Sequence, residues 1–259
     1  MNEDYTDINA KTIDKWVEGG WEWGIPISHE EYENAKRGQW DMLLSPIKPV
    51  PKSWFLPFLK DSKFLDVKIL GLASGGGQQM PIFAGLGAIA TVFDYSDKQL
   101  ESEKMVSLRE GYHIDIVKGD MTKRLPFLDQ AFDIIFHPVS NCYVEDVFHV
   151  WNECFRVLKH GGILLAGMDN GVNFLFDDVE KQPLVLTNKL PYNPLKDEAL
   201  LNKLAERDDG IQFSHTLEEQ IGGQLKAGFI LTDLYEDKDK GSILAEYISQ
   251  YIVTRAVKP

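Results

Sequence analysis

The stretch "DVKILGLASGGGQQMP" (66–81) passes from an apolar, β-like run straight into three consecutive glycines. A strand that empties into glycines brings backbone N–H groups close to a ligand, because no Cβ holds the ligand off. The loop fits no common nucleotide fingerprint completely. Gly75 and Gly77 satisfy the opening of G-x-G-x-x-G, but Met80 takes the third position and Pro81 follows it. A phosphate loop would need a Lys after the glycines, and none is there. The ligand has to be decided by the rest of the chain.

Outward from this loop, strand-like and helix-like segments alternate. "AIATVFDYS" (88–96), "IDIVKGD" (114–120), "FDIIFHPV" (132–139) and "GGILLAG" (161–167) read as the second to fifth strands. "DKQLESEKMVSLREG" (97–111) and "EDVFHVWNECFRVLKHGG" (145–162) carry apolar residues at helical spacing; the second is expected to stop at Gly161. Five strands alternating with helices predict a doubly wound, mostly parallel sheet with helices on both faces. Farther on, Thr216 and Glu219 form a capping-box pattern in "SHTLEEQIGGQLKAGF" (214–229). "FILTDLYED" and "EYISQYIVTRAV", joined by "KDKGS", read as an antiparallel pair. An acidic insertion spans 171–213, with one predicted helix at "DEALLNKLAER".

The first 60 residues form a helical and aromatic arm ahead of a domain at 61–259. Five of the six tryptophans fall there: Trp16, Trp21, Trp23, Trp40 and Trp54. Indoles left in water forgo a large burial term, so the arm is expected to pack on the sheet or close over a ligand. Trp16 and Trp54 read as braces and Trp40 as the lid residue. "SHEEYENAKRG" (28–38) is a helix with a Ser28–Glu31 capping box and Gly38 as its stop.

Composition narrows the function classes. A net charge of −13 opposes nucleic acid and anionic membrane surfaces, and the densest basic stretch, "KGDMTKR", carries an Asp. No apolar run approaches the roughly 20 residues that span a bilayer. The acidic opening "MNEDYTDINA" matches neither a signal nor a transit peptide, so a cytoplasmic location is expected. Cys142 and Cys154 have no metal-ligand spacing, and no metal site is expected. Oligomeric state is not legible.

The chemistry concentrates at the carboxyl ends of successive strands, where open α/β sheets bind ligands. The glycine loop follows the first strand, Asp94 ends the second, Asp120 the third, and "HPVSNCY" (137–143) follows the fourth. This order resembles the class I S-adenosylmethionine (SAM)-dependent methyltransferases, over roughly residues 65–170. "LPFLDQAFDIIF" (125–136) and "ECFRVLKHGGILLAG" (153–167) are similar to the small-molecule type akin to quinone-biosynthesis C-methyltransferases. The resemblance implies strand order 3-2-1-4-5-7-6 with strand seven antiparallel, and SAM as cofactor. It places Ala73, Ser74, Gly75, Gly76, Gly77 and Gln78 around the methionine half and Asp94 on the ribose. Asp120 and Met121 fall at the adenine, and Tyr95, Gln99, His137 and Pro138 complete the implied cofactor shell.

Two departures stand in the loop. Gly71 occupies the position of the family's acid and Ala73 that of its first glycine. The missing carboxylate removes a charge-assisted contact of about 1–3 kcal/mol, and an Ala is tolerated where φ is negative. Three readings stay open: SAM held by other groups such as Ser74, Gln78 or the arm, weaker binding, or a catalytically silent relative acting as a binding or scaffold protein. For catalysis of methyl transfer to a small-molecule acceptor, His137 is the expected base, with Asn141, Tyr143 or Ser140 orienting the acceptor. Cys142 reads as a packed residue, and His149 and Cys154 as core. A dinucleotide oxidoreductase fits less well, because it does not account for Asp120 or the final antiparallel pair.

Overall fold

The computed structural model describes residues 4–179, 182–207 and 210–259; residues 1–3 of the arm and 180, 181, 208 and 209 of the insertion lie outside them. Seven strands form one sheet: β1 (Lys68–Leu72), β2 (Ile89–Asp94), β3 (Asp115–Lys118), β4 (Phe132–His137), β5 (Leu158–Asp169), β6 (Ile230–Asp237) and β7 (Tyr251–Val257). Their order is β3-β2-β1-β4-β5-β7-β6, as expected. β1 to β5 run parallel, and β7 lies antiparallel between β5 and β6.

The continuous apolar runs follow from burial on both faces. Ile69, Val92, Ile134, Phe136, Ile163 and Leu165 point to one core. Their neighbours Leu70, Leu72, Phe93, Ile135, Leu164 and Ala166 point to the other. The second core is capped by α5 (Val147–Val157), whose Trp151 is fully buried. The first is covered by α3 (Gln79–Gly85) and by the aromatic part of the arm.

Local signals set the helix ends. α2 (His29–Lys36) carries the reciprocal Ser28–Glu31 capping box. α4 (Asp97–Glu110) starts where Ser96 accepts from the Gln99 N–H and ends on left-handed Gly111. Two boundaries differ from expectation. α5 yields to β5 at Leu158 rather than at Gly161, because pairing of Leu158 with Phe132 begins before a register shift in β4. The link from β6 to β7 runs from 238 to 250 and holds a short 3-10 turn at Ile243–Glu246, so β7 starts at Tyr251.

Trp40 corrects the lid expectation. It is 8% exposed and packs edge-on to Phe55, with Phe64 beside it, inside the first core. Trp54 is buried against Tyr235 and donates from Nε1 to Asp233, the brace foreseen for it. α1 (Tyr5–Glu18) crosses the carboxyl end of the sheet instead. Its Tyr5 hydroxyl accepts from the Glu145 N–H, and Asn9 exchanges two hydrogen bonds with the backbone of Ile211.

Candidate active site

The loop after β1 is shaped by contacts to α4 and the arm. Ala73 adopts φ +48°, outside the negative range in which an alanine sits without strain, and donates its N–H to Phe93 O at 2.7 Å. Left-handed backbone in a residue with a Cβ costs about 1–2 kcal/mol. Gly76 and Gly77 have φ of +90° and +69°. Their N–H groups go to Gln99 O and to Glu103 Oε1 rather than toward a ligand. A Cβ on Gly76 would lie 2.5 Å from Gln99 Oε1, so these glycines serve close approach to α4. Ser74 and Gly75 face the space above the sheet, and the Ser74 hydroxyl is buried without a partner.

Gly71 has a physical account as well. A Cβ there would sit 2.5 Å from Met80 Sδ, so the volume of the absent acid is filled by the Met80 side chain. The glycine at 71 and the methionine at 80 are thus one packing arrangement.

Asp94 sits at the tip of β2. Its Oδ2 accepts from Gly75 N–H and its Oδ1 from Ser96 N–H, both at 3.0 Å. Burial pushes its carboxyl up, and the backbone donors at Ser96, Gly75 and Tyr95 oppose that. Asp120, two residues past β3, accepts from Thr122 N–H at 2.8 Å, and Met121 beside it is buried. The Tyr95 hydroxyl donates to Asp7 of α1 at 2.5 Å, while Ser96 Oγ and Lys98 N–H both reach Asp14. The helix is therefore pinned directly beside Asp94.

These groups line one cavity of about 700 Å³, within the usual range for small-molecule sites. Ala73, Ser74, Gly75, Gln78, Asp94, Tyr95, Gln99, Asp120, Met121, Pro138 and Tyr143 reach it; Gly76, Gly77, His137 and Asn141 do not. Its roof comes from α1 through Thr6, Asn9, Ala10 and Ile13, and from Trp21 and Trp23. Its far wall comes from the insertion, through Phe174, Tyr192 and Lys203 among others.

The methyltransferase-domain family matches residues 70–166, the segment that carries β1 to β5 and this site. An uncharacterized methyltransferase of Bacillus subtilis, YbaJ, is 46% identical over 254 residues, covering 96% of this chain and 97% of that one. The chain belongs to the class I SAM-dependent methyltransferases. The quinone likeness is narrower. A mitochondrial 2-methoxy-6-polyprenyl-1,4-benzoquinol methylase of Dictyostelium discoideum is 30% identical over 147 residues, spanning 49% of this chain and 46% of its own. An SAM-dependent methyltransferase structure from Mesorhizobium loti shares the fold, with TM-score 0.58 at 14% identity over 78% of this chain and 95% of that chain. SAM is accordingly the methyltransferase's cofactor. The residues present fit it: a buried, unpartnered hydroxyl at Ser74 and an acceptor-only carboxylate at Asp94 both border a cavity open above the first three strands.

His137 is not placed to act as a base. It is fully buried, with Nδ1 on Leu72 O and Nε2 on Asn141, both at 2.9 Å. Desolvation holds its pKa below the ordinary value, so the ring is neutral. Both ring nitrogens are held by protein groups, Leu72 O on one side and Asn141 Oδ1 on the other. Asn141 donates from Nδ2 to Gln220 Oε1 at 2.8 Å. The His137–Asn141–Gln220 chain is a buried post joining the tip of β4 to the turn at Glu218–Gly222. Tyr143 does reach the cavity, but burial pushes its phenol up, so it is a hydrogen-bond donor rather than a base. Cys142 is a buried, protonated thiol.

Two carboxylates went unread in the sequence. Glu103 of α4 is fully buried, with Oε1 on Gly77 N–H and Oε2 unpartnered, and burial pushes its carboxyl up to about 8. Asp169 ends β5 and lines the cavity. The strand-tip rule that singled out Asp94 applied equally to "GMDN" (167–170).

Proposed function

We propose that this methyltransferase moves the methyl group of SAM to a small molecule enclosed in the same cavity. The observation that carries the proposal is the enclosure: α1 is tied to Tyr95 and Ser96 on one side and to Glu145 and Ile211 on the other. A roof held at both ends suits an acceptor that fits wholly inside. The arm over residues 1–60 is then a lid, through α1, Trp21 and Trp23, on a methyltransferase domain at 61–259 with the insertion at 171–213 as its far wall. Nucleic acid is a poor acceptor for a chain of charge −13. No described helix is long and apolar enough to cross a membrane, and both cysteines are free, which supports a cytoplasmic setting.

Within this reading Asp94 accepts from the ribose hydroxyls. Asp120 meets the adenine amino group with Met121 against the ring. Ser74 and Gln78 lie at the methionine end, where Gly71 supplies no charge. SAM brings a sulfonium methyl group open to in-line attack. The protein contributes alignment and exclusion of water, since bringing the reactants together in a near-attack geometry supplies much of the barrier reduction. Tyr143 and Ser140 orient the acceptor by hydrogen bonding.

The missing acid at position 71 favours one rival, a silent SAM-binding relative. Incubation of the enzyme with methyl-tritiated SAM and a cell extract, followed by size fractionation, separates the cases. Label is expected in a product below about 1 kDa. Label only in protein or nucleic acid would overturn the small-molecule reading, and no label in any fraction would favour the silent relative.

A further inference from the structure

The cofactor reading accounts for the tips of β1, β2 and β3 and leaves unexplained the tip of β5, two strands along from β1. There Asp169 is 5% exposed, lines the cavity, and lies opposite Tyr251 of β7 in the sheet register. Its Oδ1 accepts from Gly171 N–H at 2.9 Å, and its Oδ2 has no partner. No ion pair to it is found among the described residues. An unpaired buried carboxylate oxygen is costly unless a ligand completes it. Nearby lining groups are Cys142, Tyr143 and Tyr251, none of which is cationic. Phe174 and Tyr192 of the insertion pack together on the same cavity wall.

A carboxylate bordered by aromatic rings suits one class of partner above others. An ammonium donates to the free oxygen and is attracted by the ring faces, whereas an anionic group is repelled. We infer that Asp169 is the specificity-determining residue of the acceptor pocket, accepting a hydrogen bond at Oδ2 from the protonated amine of an amine-bearing substrate. The proposal rests on the small-molecule reading above, which fails separately if label enters only polymers. Burial pushes this carboxyl up to about 6, so it is ionised at neutral pH and ready for a cation.

The test uses the full-length protein with S-adenosylhomocysteine (SAH) bound, and three probe pairs: butylamine with butanol, benzylamine with benzyl alcohol, and 2-phenylethylamine with 2-phenylethanol. Thermal shift is expected to show at least one amine stabilising the complex more than its matched alcohol. Asp169→Asn keeps the Oδ1 bond to Gly171 and is expected to erase that difference while leaving the SAH shift in place. Alcohols that match every amine, or a difference that survives in Asp169→Asn, would overturn the assignment. A second readout is independent of turnover: the carboxyl ¹³C signal lost in Asp169→Asn identifies Asp169, and its titration is expected to move to lower pH with the stabilising amine. A titration that does not move contradicts the contact.

Discussion

Asp94→Asn separates the ligand role of this carboxylate from its role in the loop. Both of its oxygens already accept from a backbone N–H, of Gly75 and of Ser96, and the carboxylate borders the cavity. An amide has one acceptor oxygen, so whichever way Asn turns, its NH₂ faces one of the two backbone donors. One loop bond and one ribose bond are lost together. A charge-assisted hydrogen bond of this kind is worth about 1.5–3 kcal/mol, which weakens SAH binding roughly 10- to 150-fold. The free protein is expected to lose less, because the neutral amide is relieved of the burial that pushes the Asp94 carboxyl up. Calorimetric titration of SAH into both proteins at pH 7.5, beside their urea midpoints, measures the two effects separately. An affinity for the variant within twofold of the wild type would refute the ribose role. Asp94→Ala is the poorer probe, since it leaves both the Gly75 and the Ser96 N–H without their acceptor.

Glu103→Gln tests the buried acid under the loop. Its folded carboxyl, held near 8 against an ordinary 4.5, binds its proton more tightly than the unfolded chain does. Stability is therefore full below pH 4.5 and is lost as pH rises toward 8, by up to about 3 kcal/mol at pH 7. Urea unfolding at pH 5 and 7.5 is expected to show that loss in the wild type and much less of it in the variant; parallel losses would contradict it. Ala73→Gly relieves a left-handed alanine at φ +48° and is expected to stabilise by about 0.5–1 kcal/mol, measured the same way. The usual destabilisation on Ala→Gly would show that the loop is not held in that conformation.

The sheet was legible because its cause is local and repeated. Runs such as "ILGL" (69–72) and "IIF" (134–136) are apolar and buried throughout, as strands covered on both faces require, and the capping box at Ser28 marked a helix start. The positions of Asp94 and Asp120 followed from the strand-tip rule. What failed depended on which neighbour filled a space. Trp40 and Trp23 look alike in sequence, but Phe55 and Phe64 take Trp40 into the core while Trp23 faces the cavity. His137 sits at a strand tip like Asp94, yet Leu72 O and Asn141 occupy both its nitrogens. Gly71 read as a loss until Met80, nine residues on, proved to occupy the vacated volume. α1 is an otherwise ordinary amphipathic helix, and only its long-range bonds to Ser96 and Ile211 show that it borders the cavity.

A crystal structure of the protein with SAH tests the central claim most directly. The nucleoside is expected across the tips of β1, β2 and β3, with its ribose hydroxyls on Asp94, its adenine beside Asp120 and Met121, and its amino-acid end against Ser74. SAH lying elsewhere, or bound with Asp94 turned away from the sugar, would contradict it.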